Sequence, residues 1–379
     1  MLTSVDLFSG IGGFAVALKH IAEPLLYCEV DKKCGRVLQA CMQKGILPEA
    51  PVVEDVRDIE HICSIVGKKQ IDIITAGFPC IGFSSAGKQQ GLQNVQSRLF
   101  YDTMLVIERL MPSMVLFENV ANIVASTHAK DFAIISKHLG RLGFTMTWTI
   151  CTAAEVGAPH LRRRWYGLAS RNNLRCVHVP CVSNPFTNPP SLLSSEIDGI
   201  KRCSMLGNAI VPLAARLAFC RLFSGFRINN VDELWRDNDL VFAPNQSTTQ
   251  IQSASKHGYM TEKMKMYRIN FTPAKTLPVV TYTIDSSHYQ RLNGALSDST
   301  IRSRCTKAIS TPYLPTPRTS ANSPSHVMTE RTRWDLATVL RFVSKINGVH
   351  QKVQCLHSRP NPQFVEYMMG YTTNHTQII

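Results

Sequence analysis

The sequence predicts an α/β protein built on a doubly wound, mostly parallel sheet. Three observations lead there. Short apolar runs with little polar alternation recur through residues 1–170, helical patterns separate them, and the chemically interesting residues sit just after the apolar runs. Continuous apolar strands belong to sheets covered by helices on both faces. Ligands in such sheets gather at the carboxyl ends of the strands.

Taken in order, SVDLF (4–8) reads as the first buried strand and FAVALKHI (14–21) as the first helix. PLLYCEV (24–30) is the second strand, followed by the helical KKCGRVLQACMQK (32–44). IDIITAGF (71–78) and SMVLFENV (113–120) are strands on either side of the helical FYDTMLVIERL (100–110). FAIISKHLGRL (132–142) is a further helix, and WYGLAS (165–170) closes the alternation as a strand. From 171 to 200 the pattern dissolves into loop-forming text such as NPFTNPPSLLSS. A helix returns at VPLAARLAFCRLF (211–223) within a segment 201–226 that completes the first domain. Residues 227–379 are rich in Ser, Thr, Asn and Pro, with one convincing helix, RWDLATVLRFVSKI (333–346).

Composition narrows the class. With 379 residues, 44% hydrophobic and 18% charged, the chain is a folded protein with room for one large domain or two ordinary ones. No apolar run reaches the roughly 20 residues of a membrane helix, so no membrane association is expected. The twelve cysteines include no C-x-x-C pair, which fits reduced thiols in an intracellular protein. Cys176, His178 and Cys181 lack a second ligand pair, so no metal is expected. The net charge of +14 is uneven: residues 1–170 hold 17 Lys and Arg against 15 Asp and Glu, while residues 171–379 hold 24 against 12. A near-neutral first half and a basic second half describe a catalytic part joined to a part that meets a polyanion.

Six segments carry chemistry. DLFSGIGGF (6–14) is a glycine-rich strand-to-helix turn where backbone can approach a ligand. Glu29 lies roughly 20 residues further on, placed to accept hydrogen bonds from ribose hydroxyls, and Asp55 follows where an adenine amino group could be held. The sum points to a nucleoside-containing cofactor. Cys80, in GFPCIGFSSAGK (77–88), is a buried filler, a metal ligand or a nucleophile; as a nucleophile it needs a loop that favours the thiolate. Glu118 ends an otherwise apolar strand, and Arg162 and Arg164 fall on one face if HLRRRWYGLAS is extended.

The ordered set DLFSGIGGF, CEVD, AGFPCIGFSSAGK, FENV, APHLRRRWYGLA and LGNAIVP resembles the C5-cytosine DNA methyltransferase family, of the phage or virus type or the restriction-modification type. The resemblance implies a Rossmann-like S-adenosylmethionine-dependent methyltransferase sheet over 1–170, followed by a less regular, basic C-terminal region. It implies cofactor contacts from Phe8, Ser9, Gly10, Gly12, Glu29, Val30, Asp55, Val56, Pro79 and Asn208. It makes Cys80 the nucleophile, Glu118 the catalytic glutamate, and Arg162 and Arg164 the catalytic arginines. The expected partner is double-stranded DNA with a flipped cytosine, and the protein is expected to act as a monomer in the cytoplasm or nucleus. A tRNA methyltransferase and a catalytically silent DNA binder are the alternatives. The chain departs from the family in having His160 and Leu161 before its arginines, in Gln96-Ser97-Arg98, and in Thr372 where a proline is usual. LGNAIVP also comes about 40 residues after the arginines, with no large recognition region between them; LPTPRTS and NPQFVEYMMGYTTN form a tail beyond it. A chain ending near Phe226 is accordingly expected to keep the whole cofactor site.

Overall fold

A seven-stranded sheet runs in the order β3-β2-β1-β4-β5-β7-β6. The strands are β1 (Leu2–Leu7), β2 (Ala22–Cys28), β3 (Val52–Val53), β4 (Ile73–Ala76), β5 (Met114–Val120), β6 (Thr145–Thr152) and β7 (Arg163–Ser170). The structure is a computed structural model that describes residues 1–79, 99–125, 128–171, 174, 176–191, 193–194, 198–224, 240–242, 316–317 and 359–378. The predicted helix at 333–346 and the loop that begins at Cys80 lie outside the described residues.

Strands β1 to β5 are parallel, whereas β7 is antiparallel to both β5 and β6. The direction of winding reverses between β1 and β4, which opens a crevice at their carboxyl ends. Because β7 is reversed, its first residues lie beside the end of β5 and face the same crevice. That reversal is what brings the arginine motif to Glu118.

Period-two side-chain alternation divides the core between two faces. Val115 and Phe117 of β5 pack with α3 (Ile59–Val66), α4 (Leu99–Leu110) and α5 (Ala129–Arg141). Met114 and Leu116 pack on the opposite face with α1 (Gly13–Ala17), α2 (Lys32–Gln43), α6 (Gly199–Asn208) and α7 (Pro212–Phe223). Asp31 and Asp58 start α2 and α3 as N-caps, each side chain accepting from a backbone N–H in the first turn. Pro212 sits in the first turn of α7, where its missing N–H costs nothing. Inside that helix, buried Arg216 donates to the carbonyls of Ala17, Lys19 and Pro180. The span Gly199–Phe223 is long and apolar enough to cross a membrane by length and composition, a point the sequence reading did not register, and 83% of its most apolar window is buried.

The end of the described chain returns to this second face. Strand β11 (Arg359–Pro360) pairs with β9 (Leu193–Ser194), as β10 (Leu240–Phe242) does with β8 (Val177–Val179). Helix α8 (Pro362–Met369) then packs on α6 and buries Phe364, Val365, Met368 and Met369. Residues 359–378 therefore belong to the sheet body. The segment 227–379 thus ends in a helix whose apolar residues pack on the second face, unlike the basic sequence before it.

Candidate active site

Glu118 lies opposite Tyr166 in the β5–β7 pairing, and Arg164 lies opposite Val120. Glu118 and Arg164 are thus diagonal neighbours on one face, close enough for long side chains to meet. They do meet: Arg164 Nε stands 2.9 Å from Glu118 Oε1, with the Glu118 side chain only 12% exposed. Burial pushes the Glu118 carboxyl above its ordinary range, while Arg164 and then Arg162 pull it back. The arrangement is a sheltered carboxyl with a cation fixed beside it.

The next residue, Asn119, is buried and was missed from sequence. Its Nδ2 donates to the Phe78 carbonyl at 3.3 Å, and its Oδ1 accepts from Val120 N. Phe78 leads through Pro79 to Cys80, so Asn119 ties the cysteine loop's first residues to the glutamate strand. Its signal was a second polar residue on a buried strand. Cys80 itself lies outside the described residues; Pro79, half-buried, is the last residue described before it.

Arg162, like Arg164, lies within electrostatic reach of Glu118. It is buried, donating from Nη1 to the carbonyls of Gly207 at 3.1 Å and Pro317 at 3.5 Å. It joins the arginine turn to the residue just before Asn208. His160, one of the departures from the family pattern, is also buried. Its Nδ1 accepts from Arg162 N at 3.3 Å, so its Nε2 carries the proton and donates to the Met368 carbonyl at 2.9 Å. Burial, with Arg162 nearby, lowers His160 to about 3.

On the other side of the crevice, the glycine-rich turn sorts its residues by role. Gly10, at φ +55°, has open space where a Cβ would stand. Gly12, at φ +83°, does not: a Cβ there would lie 2.5 Å from Leu47 Cδ1. Gly12 and Gly13 are packed tightly where a side chain would begin, whereas Gly10 has open space there. Phe8 takes φ +57°, a conformation that costs an aromatic residue energy and is typically stored at functional sites. Ser9 is buried, its hydroxyl donating to Asp6 O and accepting from Cys28 N. Its side chain locks β1 to β2.

Glu29 accepts from Gly10 N at 2.7 Å and from Asp31 N at 2.8 Å, and burial raises its carboxyl. Val30 beside it is 71% exposed, an apolar side chain held out at the mouth. Asp55 is engaged by the Arg57 guanidinium, which lowers its carboxyl, and Val56 is buried, leaving only its backbone for a ligand. Asn208 ends α6 and is exposed.

The C-5 cytosine-specific DNA methylase family matches residues 2–208, more than half of the chain. The chain belongs to that family. It is similar to the type II methyltransferase M.CviJI of Paramecium bursaria Chlorella virus IL3A, at 30% identity over 229 residues, 59% of each chain. It is similar also to the type II methyltransferase M.HhaI of Haemophilus parahaemolyticus, at 29% identity over 205 residues, 52% of this chain and 59% of that one. The chain therefore spans about three-fifths of the length of these two curated relatives. The S. pombe Dnmt2 methyltransferase structure overlaps 46% of the chain and 52% of its own, at 22% identity and a TM-score of 0.36.

Proposed function

We propose that the protein methylates C5 of a flipped cytosine in duplex DNA, in whatever compartment holds that DNA. The observation that carries this reading is the Glu118–Arg164 pair at the mouth of the crevice, tied through Asn119 to the backbone entering Cys80. S-adenosylmethionine, when bound, would supply the electrophilic methyl group. The residues present fit it: Gly10 leaves open space on the backbone, Glu29 keeps lone pairs for ribose hydroxyls beyond its two N–H contacts, and Val30 offers an apolar surface to a base. Phe8, Asp55, Pro79 and Asn208 complete the rim, with Ser9, Gly12 and Val56 contributing backbone or packing.

The chemistry asks three things of this chain. C5 of cytosine is a poor nucleophile until a thiolate adds to C6, and Cys80 is the residue assigned that addition. The electron pair pushed toward N3 needs a proton or hydrogen bond there, which Glu118, with its raised carboxyl, is suited to hold. Arg164 keeps Glu118 in place and offers positive charge to O2; Arg162 acts by positioning. Loss of the C5 proton then lets Cys80 leave. The DNA itself would be gripped by residues 225–358, with 17 Lys and Arg against 9 Asp and Glu.

Transfer of tritium from labelled S-adenosylmethionine to duplex DNA, beside tRNA, tests the reading. Duplex labelling that Cys80→Ser abolishes, with a covalent adduct to 5-fluorocytosine DNA in the unsubstituted protein only, is the expected result. Labelling of tRNA alone would make it an RNA enzyme. Labelling of neither would make it a silent binder. Glu118→Gln should lower turnover by about a hundredfold or more with cofactor affinity kept, and Glu29→Ala should weaken cofactor binding first.

A further inference from the structure

The last described turn of the chain reaches the first. His375 is buried, and its Nε2 stands 2.7 Å from the carbonyl of Ile11, in the middle of the glycine-rich turn and 364 positions away in sequence. A carbonyl can only accept, so Nε2 carries a proton and donates it. Tyr371 packs against His375 with ring centroids 4.6 Å apart and the planes tilted by 46°, and its hydroxyl donates to the Ile210 carbonyl at 3.2 Å. Ile210 lies two residues after Asn208. Between these two contacts sits Gly13, whose missing Cβ is what makes room: a carbon there would stand 2.7 Å from the Tyr371 hydroxyl and 2.6 Å from Ile210 Cγ1.

The turn that presents His375 is itself pinned. Glu366, fully buried, accepts from Arg202 Nη2 of α6 at 2.9 Å, from Asn374 N at 2.7 Å and from Thr376 N at 2.7 Å. Cys41 Sγ of α2 contacts the His375 carbonyl at 3.2 Å. The histidine thus has little freedom to shift, and neither has the carbonyl it holds.

We propose that His375 and Tyr371 are positioning residues for cofactor binding. Together they clamp the Ser9–Gly13 turn and the Asn208–Val211 turn, two parts of the proposed cofactor rim, from behind. Neither side chain is assigned a contact with the cofactor; each acts by holding backbone that would. This rests on the reading of the crevice as an S-adenosylmethionine site, and it replaces the expectation that a chain ending near Phe226 keeps that site whole.

Two measurements on the full chain test it: calorimetric titration with S-adenosylmethionine, and amide hydrogen exchange at residues 10–14 without any cofactor. His375→Leu should weaken affinity by about tenfold, the scale of one buried hydrogen bond lost with its acceptor stranded, and should speed exchange across the turn. His375→Gln, which can still donate at similar reach, should recover most of both. Tyr371→Phe, which removes only a hydroxyl, should weaken affinity by about threefold, and it carries the test if His375→Leu does not fold. Unchanged affinity and exchange in folded variants, with only the melting temperature lowered, would overturn the proposal and leave a plain packing role. If the unsubstituted protein itself takes up no cofactor, the reading of the crevice fails instead, while the exchange data still decide whether the tail holds the turn.

Discussion

The two faces of the sheet are covered by different kinds of material. One face is local: its buried residues run from Val5 to Ala169, under helices that each follow the strand they cover. The other runs from Leu2 to Tyr371 and needs α6, α7 and the returning α8 before it is sealed. Sequential strand–helix units close the first face with short loops. The second waits for contacts of very long range, which are costly to form and late to pay back. Glu118, Arg164 and the glycine-rich turn all belong to the second face. The proposed site lies on the side whose core draws on residues as late as Tyr371.

The largest test of that contrast is to remove residues 359–379. Five buried apolar side chains, Phe364, Val365, Met368, Met369 and Tyr371, would be lost from one face and none from the other. At about 1.5–3 kcal/mol for each fully buried side chain, the loss rivals the entire stability of a typical domain. Loss of the cooperative melt by circular dichroism is expected; an unchanged melt would erase the distinction between the faces.

Next comes Glu366→Ala, which strands the Arg202 guanidinium in the interior. Removing one partner of a buried ion pair costs about 3–5 kcal/mol, read from denaturant unfolding. Arg202→Met with Glu366→Leu should recover much of it, since the charges would go together.

A pH titration gives a smaller signal with a definite sign. His160 is lowered to about 3 and His375 is lowered as well, both chiefly by burial. The unfolded chain therefore binds more protons than the folded one below the ordinary histidine value. Their contribution is fully present above about pH 6.5 and is lost as pH falls from there toward 3. Melting temperature should drop between pH 7 and 5, and less so in His160→Gln. Smallest of all is Ile135→Val on the local face, expected to cost about 0.5–1.5 kcal/mol and to leave cofactor affinity untouched.

How much could be read from the residues follows the same division. β1, β2, β4, β5 and β7 were legible because buried parallel or central strands are written as unbroken apolar runs. β6 was not: TMTWTICT mixes threonines with apolar residues, as suits a strand at the sheet's edge. β3, at two residues, is too short to carry a pattern. Helix α3 was passed over although IEHICSIV is apolar at the right spacing. Glu118 and Arg164 were legible as a pair of motifs, and the antiparallel turn of β7 explains why they meet. Asn119, His160 and His375 carried no readable role, because what each does is fixed by a carbonyl 41, 208 or 364 residues away.

The return of the chain at Arg359 also sets an order of events during synthesis. α7 ends at Phe223 and β11 begins at Arg359, so 135 residues, with 17 Lys and Arg against 9 Asp and Glu, separate them. At the ordinary pace of a ribosome, that interval lasts on the order of ten seconds. Throughout it, the apolar flank of α6 that α8 will cover stands bare, and the glycine-rich turn lacks its rear support. A nascent chain therefore completes residues 225–358, the segment proposed to grip DNA, before the proposed cofactor pocket has its rear support.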